Sequence, residues 1–557
     1  MNKFSTMAIA ALLVGGHAFA QGTSISDKDA IPKNWQLLDK KTNGYPGISL
    51  DEAYSFVKAK NVKAGKIIVA VIDSGVDTLH EDLKPILWRN PKEIPGNGID
   101  DDKNGYVDDI YGWNFLGGKD GRNVGKDSYE GARVYWNLKA KWDGKEVDES
   151  KLSADDKAEY AMFLRAKQAT VGDVNPQEVA YLKQMVPRLK KADSVLRKEL
   201  GKEEYNGNDV KDFTTQSPEA KTMKNFLVGI SKANNNNFDI TNKQILDEMD
   251  GELSKGDAVT TPPPAYRKDI VGDNENDIND RNYGNPDVMA NTPFHGTHCS
   301  GIIAAVRNNG IGMDGVVSNA QIMMLRAVPD GDEHDKDIAL AIRYAVDNGA
   351  KIISMSFGKG FSPEKKWVDD AYKYAESKGV LLVTAAGNDH KDVDENPSFP
   401  NANYLSGGKA SNAIFVGASG NEKNGGYTAS FSNYGKSNVD VFAPGVGIYS
   451  TIPGGNTYGN ASGTSMACPL VAGVAAFVWQ HYPTLTAKQV KEAIEKSVVS
   501  PGEKVNKPGT DEKVDMSELA KNGGIVNAYG AIQYAAKLAA GKKAPLPKSS
   551  LKKTSKS

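Results

Sequence analysis

The chain has 557 residues, 39% hydrophobic and 25% charged, with a net charge of −2. That balance describes a globular protein. Near-neutrality gives no basis for nucleic acid or an acidic membrane surface as partner, and beyond the N-terminus no segment is apolar enough to span a bilayer.

The first twenty residues read as a signal peptide. Lys3 supplies the positive region, Met7–Val14 a short apolar run, and Ala18-Phe19-Ala20 a small-x-small cleavage site. Export to an extracellular or periplasmic location is therefore expected. About fifty residues then precede Asp73. The core needs most of them.

Lys66–Ile72 is a β-branched run ending at Asp73 and predicts a buried parallel strand. Similar runs occupy 321–328, 351–355, 380–386, 413–417 and 439–443. Helical patterns at 335–348 and 363–378 close on Gly349 and Gly379. Alternating strands and helices predict an α/β fold with a mostly parallel sheet covered on both faces. In such sheets ligands bind beyond the carboxyl ends of the strands, which is where Asp73 falls.

Asp100-Asp101-Asp102-Lys103-Asn104-Gly105-Tyr106-Val107-Asp108 carries oxygen donors at positions 1, 3, 5 and 9 of a loop with glycine at 6. That is the spacing of a calcium loop, with Asp100, Asp102, Asn104 and Asp108 as side-chain ligands and Tyr106 giving its carbonyl. Position 12 is Tyr111 rather than Glu, so the loop is not an EF-hand. Asp273–Asp280 is a further acidic cluster that can equally be a plain loop.

Residues 120–284 form a charged, mainly helical insertion with its linker. Val179, Leu182, Val186, Leu189, Leu196 and Leu200 recur at helical spacing, as do Tyr160, Phe163 and Leu164. The stripe reads as packing onto the core and gives no support for a cofactor site. Asn234–Asn237 reads as a polar turn, and Thr260–Pro264 as a stiff linker. The insertion is open to three roles: a lid, a folding aid or a partner-binding body. The remaining boundaries are 1–20 signal, 21–119 and 285–540 the two parts of the α/β core, and 541–557 a basic disordered tail.

The second half holds His295-Gly296-Thr297-His298-Cys299-Ser300-Gly301 and Gly463-Thr464-Ser465-Met466-Ala467-Cys468-Pro469. A serine hydroxyl is a poor nucleophile until an imidazole takes its proton and a carboxylate fixes that imidazole. Asp73, His295 and Ser465 supply one group of each kind in the order Asp, His, Ser. With Val69–Gly75 around the aspartate, these runs resemble the subtilisin-like serine proteases, the subtilases, over about 60–115 and 285–540. His298 reads as structural. Cys299 and Cys468 read either as two buried apolar residues or as a disulfide.

The resemblance implies a three-layer subtilisin-like fold and a secreted serine endopeptidase acting on protein or peptide chains. It also implies that Asn388, in Ala386-Gly387-Asn388, binds the oxyanion together with the Ser465 N–H. Ser356-Phe357-Gly358 resembles the segment that pairs with the substrate backbone. Phe399-Pro400 places Ser398 near the base of the P1 pocket, where no acidic residue favours a basic side chain. His80-Glu81-Asp82-Leu83 makes Asp82 a ligand of a common calcium site, with 308–313 as its companion loop. The alternatives are a non-catalytic scaffold and an exopeptidase.

Overall fold

The computed structural model describes residues 31–541 apart from 173, 203, 204, 234–237, 239 and 292. The signal peptide, the Asn234–Asn237 turn and the tail beyond Gly541 lie outside the described residues. The chain divides into two compact units, Ile31–Asp127 with Ala265 onward, and Ser128–Pro264.

The larger unit is built on seven parallel strands: β1 (Ile67–Asp73), β2 (Gly112–Asn114), β3 (Ala320–Arg326), β4 (Ile352–Met355), β5 (Leu381–Ala385), β6 (Ala413–Ser419) and β7 (Val441–Pro444). Their order is β2-β3-β1-β4-β5-β6-β7, which puts Asp73 at the end of a central strand, opposite Arg326 of β3 and one residue past the Ile72–Met355 pair with β4. β2 has no signal of its own. It is three residues long and begins with Gly112, and pairing with Met324–Arg326 makes it a strand. A hairpin, β8 (Ile448–Ile452) and β9 (Thr457–Ala461), turns at Gly454-Gly455-Asn456, all with positive φ.

Strand alternation divides the core. Val69 and Val71 pack with the helices Phe294–Ala304 and Thr464–His481, while Ala70 and Ile72 face Asp335–Asp347 and Lys365–Ser377. Asp73 continues the first series, so its carboxylate emerges on the side of the helices that begin beside His295 and Ser465. The Thr464–His481 helix is apolar nearly all round and is buried from Met466 to His481, as a central helix must be.

The insertion is narrower than 120–284. Residues 120–127 and 265–284 belong to the larger unit because buried contacts hold them there: Trp113 Nε1 donates to the Tyr283 carbonyl at 2.9 Å, and Arg267 pairs with Asp273 and Asp337. Asp273 also pairs with buried Lys336, so that end of the 273–280 cluster is an internal ion network. In the smaller unit, Leu182, Val186, Leu189 and Leu196 pack on Met223, Leu227, Ile245 and Met249. The stripe expected to lie on the peptidase core thus forms a core of its own. Asp193 anchors it, accepting from Tyr205 at 2.8 Å and Asn242 at 2.7 Å. Phe163 is buried, whereas its neighbour Leu164 is 44% exposed.

Candidate active site

His295 lies in the first turn of the helix Phe294–Ala304, and that helix can approach Asp73 because the next residue is glycine. A Cβ on Gly296 would stand 2.1 Å from the Gly75 carbonyl oxygen and 3.1 Å from Asp73 Oδ1. His295 Nδ1 meets Asp73 Oδ1 at 2.8 Å, and the Ser74 N–H donates to the same oxygen at 2.7 Å. Asp73 is buried and the His295 side chain is 36% exposed, so the imidazole links a sheltered carboxylate to the cleft. Burial alone would lower the His295 pKa. The Asp73 carboxylate reverses that and holds it well above its ordinary value.

Ser465 sits one turn-start away. The Cys299 thiol donates to the Ser465 carbonyl at 3.3 Å, pressing the first turns of the two helices together. Ser465 Oγ donates to the Ser356 carbonyl at 3.0 Å, and Ser356 Oγ donates back to the Ser465 carbonyl at 3.0 Å. Both cysteines are free and buried rather than disulfide-bonded. Burial raises both thiols, Cys468 to about 12, so they stay protonated. His298 is kept out of the chemistry by the same effect: burial pushes it down to about 4, and its Nε2 lies 3.2 Å from the Gly459 carbonyl.

Asn388 is held by Thr464, a residue of the serine run with no role of its own marked in the sequence. Thr464 donates its N–H (2.8 Å) and its hydroxyl (2.9 Å) to Asn388 Oδ1, while the Gly387 N–H donates to that hydroxyl at 3.1 Å. With its oxygen engaged, Asn388 presents its amide hydrogens elsewhere. A Cβ built on Gly463 would be 3.5 Å from the Ser465 nitrogen and 3.6 Å from Asn388 Nδ2, so both donors border one small space. Asn433 braces the turn, accepting from the Asp389 and Lys391 N–H groups and donating to the Ala386 carbonyl. Such fixed donors suit a developing oxyanion.

The sequence of the Subtilase family matches residues 64–531. Thermitase of Thermoactinomyces vulgaris is 40% identical over 251 residues, 45% of this chain and 78% of thermitase. Subtilisin DY of Bacillus licheniformis is 38% identical over 212 residues, covering 38% of this chain and 72% of that protein. The thermophilic serine proteinase of Bacillus sp. (strain AK1) is 39% identical over 243 residues, 43% of this chain and about half, 52%, of that protein. The chain belongs to the subtilase family. It is a serine-type endopeptidase of subtilisin-like α/β fold.

Beside this subtilase centre, Ser356 and Phe357 are buried and Gly358 is exposed. Ser398 comes close to Gly358: a Cβ there would lie 3.2 Å from Ser398 Oγ. Ser398 lines a cavity of about 20 Å³ with apolar Ala385, Val393 and Phe415 and polar Asn401, Asn403 and Asn438, and no charged side chain borders it.

The acidic loop gathers differently from its spacing. Glu93, Asp100 and Asp102 converge, each with an oxygen within 4.8 Å of the others. Glu93 was not expected. It precedes the loop motif and reaches it by accepting the Asp101 and Asp102 N–H groups at 2.9 and 3.1 Å. Asp108 turns away: with φ of 54° it accepts the N–H groups of Gly96, Asn97 and Gly98. Asn104 also faces inward on the loop, its amide donating to Asp109 at 2.9 Å and its oxygen accepting the Tyr106 N–H. The Tyr106 ring packs edge-on against Trp113 and Tyr344. Asp82 is fully buried, its carboxylate accepting from Tyr458 at 2.8 Å and from the side chain of Asn309 in the companion loop. Carboxylates are hard donors, so the Glu93, Asp100 and Asp102 group fits calcium, whereas the expected Asp82 site does not form: its oxygens are taken by the Tyr458 hydroxyl and the Asn309 amide N–H, and Asn309 Oδ1 accepts the Ile311 N–H.

Proposed function

We propose that this subtilase is an exported, calcium-stabilised enzyme that cuts within protein or peptide chains through an acyl-enzyme on Ser465. His295 Nε2 takes the Ser465 proton as the hydroxyl attacks the scissile carbonyl, and later gives it to the leaving amine. Asp73 fixes Nδ1–H, keeps Nε2 the acceptor and stabilises the imidazolium. Asn388 Nδ2 and the Ser465 N–H take the charge that grows on the carbonyl oxygen. The backbone at Ser356, Phe357 and Gly358 pairs with the extended substrate. No charged side chain borders the cavity at Ser398, which speaks against a basic P1 side chain. The 2.8 Å contact between His295 Nδ1 and buried Asp73 carries this reading most strongly.

Peptides blocked at both ends test it. Internal cleavage of doubly capped peptides is expected, and cleavage restricted to peptides with a free terminus would replace the endopeptidase reading with an exopeptidase. Asn388→Ala is expected to lower kcat about 10²–10³-fold with little change in KM, because one oxyanion donor acts mainly in the transition state. Steady-state kinetics on a chromogenic peptide measures the split.

Calcium would be held by Glu93, Asp100 and Asp102. Bound there it supplies only cross-linking and charge neutralisation, since acyl transfer needs no metal. A chelator is therefore expected to lower the melting temperature, and added calcium to raise it by mass action, about 2.7 kcal/mol at a hundred times Kd. Replacing Asp100 and Asp102 together by Ala should remove most of the calcium response. Identical melting curves with and without chelator contradict the assignment.

A further inference from the structure

Lys359 is wholly buried, which is costly for an ammonium unless its surroundings hold it. Its Nζ donates to the Glu333 carbonyl at 2.7 Å and lies 2.9 Å from Asp335 Oδ1. Its backbone forms a two-way antiparallel bridge with Phe399, N–H to carbonyl at 2.9 Å in each direction. Asp335 extends the connection, accepting from the Ser362 hydroxyl at 2.9 Å and the Glu364 N–H at 2.8 Å. The Glu333 carboxyl is buried beside the same ammonium, and burial pushes it up to about 8.

Three segments meet at this residue, the first through its side chain and the third through its backbone. Residues 333–335 descend from β3, residues 356–359 from β4, and 397–400 carry Ser398. β3 and β4 flank β1, so the first two segments leave the sheet on either side of Asp73. Gly358, exposed and without a side chain, offers its backbone to a peptide strand immediately before Lys359 turns inward. The separation and pitch of these walls set how well an extended peptide lies between them, and a misplacement of an ångström in such a groove is felt in binding and rate.

We infer that Lys359 is a positioning residue for the extended substrate, its side chain fixing the groove beside the Ser356–Gly358 edge by tying the 333–335 segment to the 356–359 segment, whose backbone in turn holds Phe399. This rests on the subtilase reading of the cleft. Lys359 touches no reacting atom, so its removal should loosen ground-state and transition-state binding alike.

The test compares Lys359→Met with the unaltered full chain on a tetrapeptide amide substrate, with the fraction of competent sites fixed by active-site titration. KM is expected to rise about tenfold while kcat per titrated site stays within about threefold, the pattern of lost uniform binding. A KM within about twofold of the unaltered chain in the titrated sites overturns the proposal, even if the melting temperature falls, because Lys359 then only stabilises the fold. If Lys359→Met yields no titratable protein, Asp335→Asn, which keeps the shape and removes the partner charge, is expected to raise KM about threefold, and an unchanged KM there overturns the proposal too. Failure of the unaltered chain to cut doubly capped peptides would sink the endopeptidase reading instead, so the two failures are distinguishable.

Discussion

Replacing Ser465 with Ala is expected to lower kcat by about 10⁶, the loss that subtilisin suffers when its triad serine is removed. The reason is the covalent route. Without Oγ no acyl-enzyme forms, and water must attack directly with His295 as base. The donors bordering the space in front of Gly463 survive the change, so about 10³–10⁴-fold catalysis over water should remain. The Ser356 carbonyl loses one hydroxyl donor, 3.0 Å away, at a partly buried site. Folding should therefore be little affected, at about 1 kcal/mol. Activity and melting temperature measured on one preparation check both halves. A variant with most of its activity intact would remove Ser465 from the mechanism.

The second large effect is expected at Asp73. Asp73→Asn should reduce kcat about 10⁴-fold near neutral pH while leaving the fold in place. The carboxylate oxygen 2.8 Å from His295 Nδ1 can only accept, which fixes the proton on Nδ1 and frees Nε2 for the serine. An amide turned to place its NH₂ there demands the opposite tautomer, and Nε2 then carries a proton when it should receive one. The Ser74 N–H donates to that same oxygen at 2.7 Å, so the turned amide gives up this bond as well. The loss of the anion has a second consequence. Burial lowers the His295 pKa and Asp73 outweighs it, so the imidazole should lose its proton more readily in the variant and the acid limb of kcat/KM against pH should move to lower pH. An unchanged limb would mean that Asp73 does not control the imidazole.

The residues of this centre were legible because each sits where one short run changes conformation. Asp73 ends a β-branched strand, and His295 and Ser465 open helices made of small residues. The strand parity that turns Asp73 toward those helices also follows from the alternation of Val69, Ala70, Val71 and Ile72. What escaped was set by contacts between distant segments. Thr464 stands within the serine motif, yet its grip on Asn388 appears only when residues 76 positions apart meet. Glu93 lies outside the loop spacing that pointed to Asp100 and Asp102. Asp108 fits that spacing, yet its backbone at φ of 54° carries it to the Gly96–Gly98 turn. The helical stripe of the insertion was readable as buried, but periodicity does not say which partner buries it. Here Met223, Leu227 and Met249 do.

The central claim is that Ser465 is the nucleophile activated by His295. A fluorophosphonate that reacts only with activated serines tests it most directly, read by peptide mass spectrometry. The account predicts a single label on Ser465, lost in Ser465→Ala and strongly slowed in His295→Ala. A label on another serine, or equal labelling when His295 is gone, would contradict it.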